Sequence, residues 1–209
     1  MAVRAIRKPK KLKVEIAAYK RRLILEEACH LFFNQGYTTT TLDQVSERLN
    51  VTKPFIYSYY RNKGEILSEI CQRGITLALD VQAEALAAKG TLTARMKLLV
   101  ERTARIIIEN QEFIVVYQRE EKNLAPADAR RIRDLRHRFD QKVAQLLEEG
   151  KKAGEFDIAD PAMTAVWIGG LLSWISLWYN PEGQRTPSEV IRHALDAVER
   201  IVRFKPQKG

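Results

Sequence analysis

The stretch from Tyr37 to Asn62, YTTTTLDQVSERLNVTKPFIYSYYRN, constrains the fold most, because its signals leave room for two short helices and little else. Leu42, Val45 and Leu49 recur at helical spacing over about two turns, with Thr40 or Thr41 as N-cap and Asp43 or Gln44 placed to reach back in a capping box. Asn50 and Val51 make a break. Thr52 is then a second N-cap, and Pro54 is tolerated behind it because first-turn amides have no intrahelical acceptor to lose. This second helix, TKPFIYSYY, carries four aromatic rings. Ile56 and Tyr60, four apart, can point inward with Val45 and Leu49, while Lys53 and Tyr57 project outward. Helical geometry cannot aim the adjacent Tyr59 and Tyr60 at one side, so some rings are core and the rest form a docking surface.

Two short helices joined by a tight turn is the helix-turn-helix layout, here about residues 41–60, in which the second helix enters the DNA major groove by its N-terminal end. An outward tyrosine suits that partner: the ring rests on sugar or a thymine methyl and the hydroxyl donates to phosphate. The charge distribution agrees. The net charge is +9, and residues 1–22 hold nine basic side chains against the single acid Glu15. A polyanion fits such an arm through counterion release, although a solubilising tail or an anionic membrane surface would also match the composition.

The rest of the chain keeps a helical period with no strand alternation, repeat or low-complexity tract, which predicts an all-α fold. Ile24, Ala28, Leu31 and Phe32 form a stripe on a first helix from about Glu15 to Gln35, stopped by Gly36. A fourth helix opens at Lys63 and extends through Leu77 to Ala88, and others cover Thr93–Glu109 and Gln111–Asn123. Pro126 opens a long arginine-rich helix with Ile132, Leu135, Phe139, Val143 and Leu146 on its apolar stripe and Gly154 closing it. From Pro161 to Pro181 there is no charge, a length that would satisfy a membrane span of ~20 residues. The faces nevertheless differ: Trp167, Leu171, Trp174 and Trp178 make one stripe, and Gly169, Ser173 and Ser176 fall opposite. This division predicts protein on both sides and no membrane, with the small side at a dimer seam and the ring side filling a core or lining a pocket. The last helix, PSEVIRHALDAVERIVRF, places Val190, Leu195, Val198, Ile201 and Val202 broadly together.

Other chemistries find little support. His30, His137 and His193 lack cysteine or carboxylate at metal-ligand spacing, and neither a glycine-rich phosphate loop nor a G-x-S-x-G turn occurs. Cys29 and Cys71 read as small core residues, and MAVRAIRKPKKLK has no apolar region behind its basic stretch. The expectation is a reduced, cytoplasmic protein without cofactor, metal or enzymatic activity.

The segment GYTTTTLDQVSERLNVTKPFIYSYYRNKGEIL resembles the DNA-binding domain of the TetR family of bacterial transcriptional regulators. The resemblance implies an all-helical homodimer of about nine helices: a basic arm over 1–18, a DNA-binding domain over 19–79, and a ligand-binding and dimerisation domain over 80–209. It implies a double-stranded, near-palindromic operator and pairing of the last two helices with their copies in a four-helix bundle. It also implies DNA contacts by Thr40, Thr41, Thr52, Lys53, Pro54, Tyr57, Tyr59 and Lys63. Gly64 stands where the family more often has an acid, and Tyr59 replaces a common histidine. Phe113, Tyr117, Trp167, Leu171 and Trp174 are candidates to line an apolar effector site. The segments YQREEKNLAPADARRIRDLRHRF and WYNPEGQRTPSEV are similar to members that control fatty-acid or sterol breakdown and respond to acyl-coenzyme A, so the expected function is a repressor released from DNA by such an effector. A non-specific architectural DNA-binding protein is the alternative.

Overall fold

The computed structural model describes residues 9–203, and these form an all-α fold. Arg4, Arg7 and Lys8 of the basic arm lie outside the described residues. The described residues contain nine α-helices: α1 Pro9–Gln35, α2 Leu42–Arg48, α3 Lys53–Tyr57, α4 Lys63–Ala87, α5 Leu92–Glu109, α6 Gln111–Glu120, α7 Pro126–Lys152, α8 Pro161–Trp178 and α9 Pro187–Val202, with a 3₁₀ turn over Glu121–Asn123. Helix α1 begins earlier than the expected start near Glu15. Once Pro9 has filled the first turn, the run from Lys10 to Lys20 contains no helix breaker, so nothing stops the helix from extending back.

The chain divides into two compact units, Met1–Ile70 and Cys71–Gly209, with α4 running through the division. In the first, Ile24, Leu25, Ala28 and Phe32 of α1 are buried together with Leu42 and Val45 of α2, Ile56 of α3, Tyr60, and Ile66 and Leu67 of α4. Gly36 ends α1 at φ +88°, which glycine adopts without steric cost. Asn50 supplies the turn between α2 and α3 at φ +51°, a left-handed conformation that asparagine tolerates better than most residues.

In the second unit, α5, α7, α8 and α9 surround a core that includes Met96, Leu99, Val100, Val143, Leu147, Ile168, Leu172, Ile175 and Val198. Helix α5 is held at its start by two devices. Thr91 Oγ1 accepts from the Ala94 amide, and the Glu155 carboxylate accepts from the amides of Leu92 (3.3 Å) and Thr93 (2.8 Å). At the C-terminal end of α7 the ring of Phe156 lies on Gly150, where a Cβ would come within 2.0 Å of the ring.

Helix α8 does not bury the tryptophan stripe in the core. Ala165, Ile168, Leu172, Ile175 and Ser176 are buried, while Met163, Val166, Trp167, Trp174, Leu177 and Trp178 are exposed. The inward side is mainly aliphatic, Ala165, Ile168, Leu172 and Ile175 joining the core, and Gly169 and Ser173 at its border are half-buried. A Cβ on Gly169 would lie 3.7 Å from Asp140 Oδ1 of α7, and Ser176 Oγ donates to Gln118 Oε1 of α6 (3.3 Å). Gln111 Nε2 donates to the carbonyls of Ser176 (2.8 Å) and Tyr179 (2.5 Å), tying α6 to the end of α8. Among the described residues α8 is the one helix long and apolar enough to cross a membrane, and 33% of that span is buried inside the protein.

Candidate nucleic-acid interface

The first unit builds a surface around α2 and α3. Thr41 occupies the N-cap of α2, and the capping box closes with Gln44: the Gln44 amide donates to Thr41 Oγ1 (3.2 Å) and the Thr41 amide to Gln44 Oε1 (2.8 Å). Thr40, the other candidate, is buried, and its hydroxyl donates to the Gly36 carbonyl at 2.8 Å. Through that bond it supports the turn after α1, and it lies at the polar cleft that Thr41 and Lys53 also line. Thr52 has N-cap backbone angles and is exposed, but its side chain makes no capping hydrogen bond.

Helix α3 is only Lys53–Tyr57, a single turn and a half. Its sidedness follows the sequence pattern. Ile56 is completely buried and Tyr60 nearly so, whereas Lys53, Pro54 and Tyr57 are exposed and Tyr59 is half-buried against Phe55, ring centroids 5.2 Å apart. Nζ of Lys53 meets Asp43 of α2, 2.7 Å from Oδ1, and this hydrogen bond raises the lysine pKa above its usual value.

Arg21 of α1, which the sequence reading did not single out, holds the far end of α3. Its Nη1 donates to the Tyr59 carbonyl (2.6 Å), Nε and Nη2 donate to Glu69 of α4 (3.0 and 2.5 Å), and the guanidinium lies 4.1 Å from the Tyr60 ring centroid. The Glu69 bond is the main cause that raises the Arg21 pKa, and burial raises that of the Tyr60 phenol. One signal was legible beforehand: an arginine on α1 and an acid on α4 flank an aromatic pair. No spacing rule connects them, since the contacts span 38 and 48 residues.

Lys63 is also committed inside the protein. Its ammonium donates to the carbonyls of Tyr37 (2.5 Å), Thr38 (3.2 Å) and Thr40 (2.8 Å) and lies 4.4 Å from the Tyr37 ring centroid. The turn after α1 is thereby fastened to the start of α4. Thr41, Asp43, Lys53, Tyr57, Asn62 and Lys63 line one polar cleft of about 350 Å³ on this face. The arrangement can present hydroxyls and a lysine to a polyanion from a helix whose other side is locked in the core.

Residues 24–70 match the family of bacterial regulatory proteins called tetR, and residues 89–202 match the tetracyclin repressor-like C-terminal domain. The chain belongs to the TetR family. This TetR-family chain is 29% identical over 173 residues to the uncharacterized HTH-type transcriptional regulator YhgD of Bacillus subtilis, covering 80% of the chain and 87% of YhgD. It is 23% identical to the HTH-type transcriptional repressor KstR2 of Rhodococcus jostii, covering 86% and 89%. Among solved structures, the TetR-family regulator PfmR from Thermus thermophilus matches with a TM-score of 0.80 at 28% identity, over 88% of this chain and 99% of PfmR. AibR in complex with isovaleryl coenzyme A and operator DNA matches in fold, with a TM-score of 0.78 at 19% identity over 89% of this chain and all of AibR. The relatives are transcriptional regulators, and the chain is a DNA-binding regulator of the same family.

In the second unit the five candidate pocket residues do not line one cleft. Trp167, Leu171 and Trp174 open, with Trp178, Val190 and His193, on an apolar cleft of about 880 Å³ between α8 and α9. Phe113 and Tyr117 are on α6, where Arg73 lies 4.6 Å from the first ring centroid and Arg136 lies 5.8 Å from the second. Cys29 and Cys71 are buried free thiols, and burial pushes the Cys71 thiol up to about 12. Among the described residues no group of three or more side chains could hold a metal ion.

Proposed function

We propose that this chain is a cytoplasmic homodimeric repressor that binds a near-palindromic operator and leaves it when a small effector enters the second unit. The observation that carries the DNA half is the leading end of α3, where Lys53, Pro54 and Tyr57 are exposed while Ile56 and Tyr60 anchor the helix beneath them. A helix fixed by its own inner side can offer an outer side at constant register, which base readout requires. Thr41, Thr52, Tyr57 and Tyr59 are the proposed phosphate contacts, and Lys53 with Pro54 the base-edge contacts.

The dimer half rests on the exposed faces of α8 and α9. Trp167 and Trp174 are 66% and 62% exposed, beside Trp178 and Met163, on a surface no other part of the described chain covers. A second copy placed by a two-fold axis would cover each such face with the other, removing apolar area worth roughly 25 cal/mol per Å². The seam of the proposed bundle is therefore the tryptophan side of α8.

For the effector, Gln82 Oε1 and Thr103 Oγ1 are buried in the second unit without a hydrogen-bond partner among the described residues. Such an atom costs about 1–3 kcal/mol, which a polar group of a bound molecule would recover. An acyl-coenzyme A is the proposed class. AibR was solved with isovaleryl coenzyme A, and Arg130, Arg133, Arg136 and Arg138 of α7 are exposed guanidinium forks of the kind that match phosphate. Release requires that the effector favour a state in which the two α3 helices no longer match the operator, and DNA must then weaken effector binding equally.

A gel-shift series on the chain's own upstream DNA tests this reading, with saturable binding to one palindrome expected. Uniform binding to random duplex would favour an architectural protein instead. Added isovaleryl or longer-chain acyl-coenzyme A should weaken operator binding roughly five- to hundred-fold, and mass analysis of the purified protein should find a retained compound of that class.

A further inference from the structure

A carboxylate on a surface that must meet a polyanion is repelled by every phosphate, so Asp43 needs a compensating role. It is exposed in the first turn of α2, and both of its oxygens hold Lys53 Nζ, at 2.7 Å from Oδ1 and 2.9 Å from Oδ2. The two side chains share the polar cleft with Thr41, Tyr57 and Asn62. An ammonium has three donors on a flexible stem and, left to itself, serves as a point charge for whatever phosphate is near. Chelation by one carboxylate occupies part of that donor set and fixes the direction of the rest.

We propose that Asp43 is a specificity-determining residue: by holding Lys53 at the leading end of α3 it withholds that ammonium from general phosphate contacts, so that Lys53 adds to affinity only where a base edge offers an acceptor. The inference rests on the reading of this face as the operator-binding surface. Asp43 also lies where a helix N-terminus favours an acid. A role confined to the helix would change stability and would lower affinity for all DNA alike.

The test begins by selecting a preferred duplex from a random pool with the full wild-type chain. Wild type, Asp43→Asn, Asp43→Glu and the double variant Asp43→Asn with Lys53→Ala are then titrated with that duplex and a scrambled one across a salt series. For Asp43→Asn we expect tighter binding to the scrambled duplex, with a salt slope steeper by about 0.9 per copy, and a smaller gain on the selected duplex. The selectivity ratio should fall about tenfold, within the discrimination one base contact supplies. Asp43→Glu should keep most of the ratio, and adding Lys53→Ala should abolish the gain on scrambled DNA. Equal tightening on both duplexes, or equal weakening on both with a lowered melting temperature, would overturn the proposal. A wild-type chain that selects no duplex would overturn it together with the operator-binding reading, whereas undiminished selection by Asp43→Asn would overturn the proposal alone.

Discussion

Lys63 occupies a position that the family resemblance gives to a DNA backbone contact, yet its ammonium donates to three carbonyls of the turn after α1. We expect a cation held in this way to act mainly by fixing the turn that carries Thr41, with a smaller share from phosphate neutralisation. Lys63→Ala should therefore lower stability by about 1–2 kcal/mol in chemical denaturation, since three carbonyls lose a charged donor but water can partly replace it. The salt slope of operator binding should change by well under the ~0.9 that a lost phosphate contact produces. A slope change near that value, with unaltered stability, would return Lys63 to the phosphate role. Thr40 carries the same lesson: four consecutive threonines look alike in the sequence, and only the fold shows that Thr40 is buried and bonds the Gly36 carbonyl while Thr41 caps α2.

At the scale of elements, capping was legible and packing was not. The Thr41 and Gln44 capping box and the buried pair Ile56 and Tyr60 follow from spacing alone. The hold on α5 by Glu155, sixty-odd residues away, has no local signature. It gives α5 a pH dependence. Burial works to raise the Glu155 pKa, but the amide donors at Thr93 and Leu92 together hold it below its ordinary 4.5. A folded-state value below the unfolded one means stability that is present above pH 4.5 and is lost as the pH falls through the folded value. The stability difference between wild type and Glu155→Gln, followed by thermal melting, should be constant near neutrality and shrink below that pH. Gly150→Ala tests packing: its new methyl would meet the Phe156 ring at 2.0 Å, and we expect a loss of about 1–3 kcal/mol from the forced displacement of that ring. Phe156→Leu in the same background should recover part of that loss.

For the whole molecule, the exposed faces of α8 and α9 decide what the second unit needs. A lysine at Trp174 would carry a charge into the proposed two-fold seam while leaving the core of its own subunit untouched, because that ring is 62% exposed in a single chain. In sedimentation, Trp174→Lys should shift the protein toward monomer, with dimer dissociation raised roughly hundredfold, about 2.7 kcal/mol. Circular dichroism should still report a folded chain, and operator affinity should fall because one half-site contact is lost per subunit. A variant that remains dimeric would place the seam elsewhere.

The sequence by itself determined the all-helical class, the helix-turn-helix and the inward side of α3, because those rest on spacing, capping residues and short-range geometry that every neighbour on the chain already specifies. Which side of α8 turns inward was decided only by tertiary packing. That helix carries no charge on either side, so solvent gave no preference, and the side that went into the core is the aliphatic one, Ala165, Ile168, Leu172 and Ile175, with the bulky rings left outside. The commitment of Arg21 and Lys63 had the same cause, since a cation read along the chain shows its charge but not the carbonyls and carboxylates that distant segments bring to it.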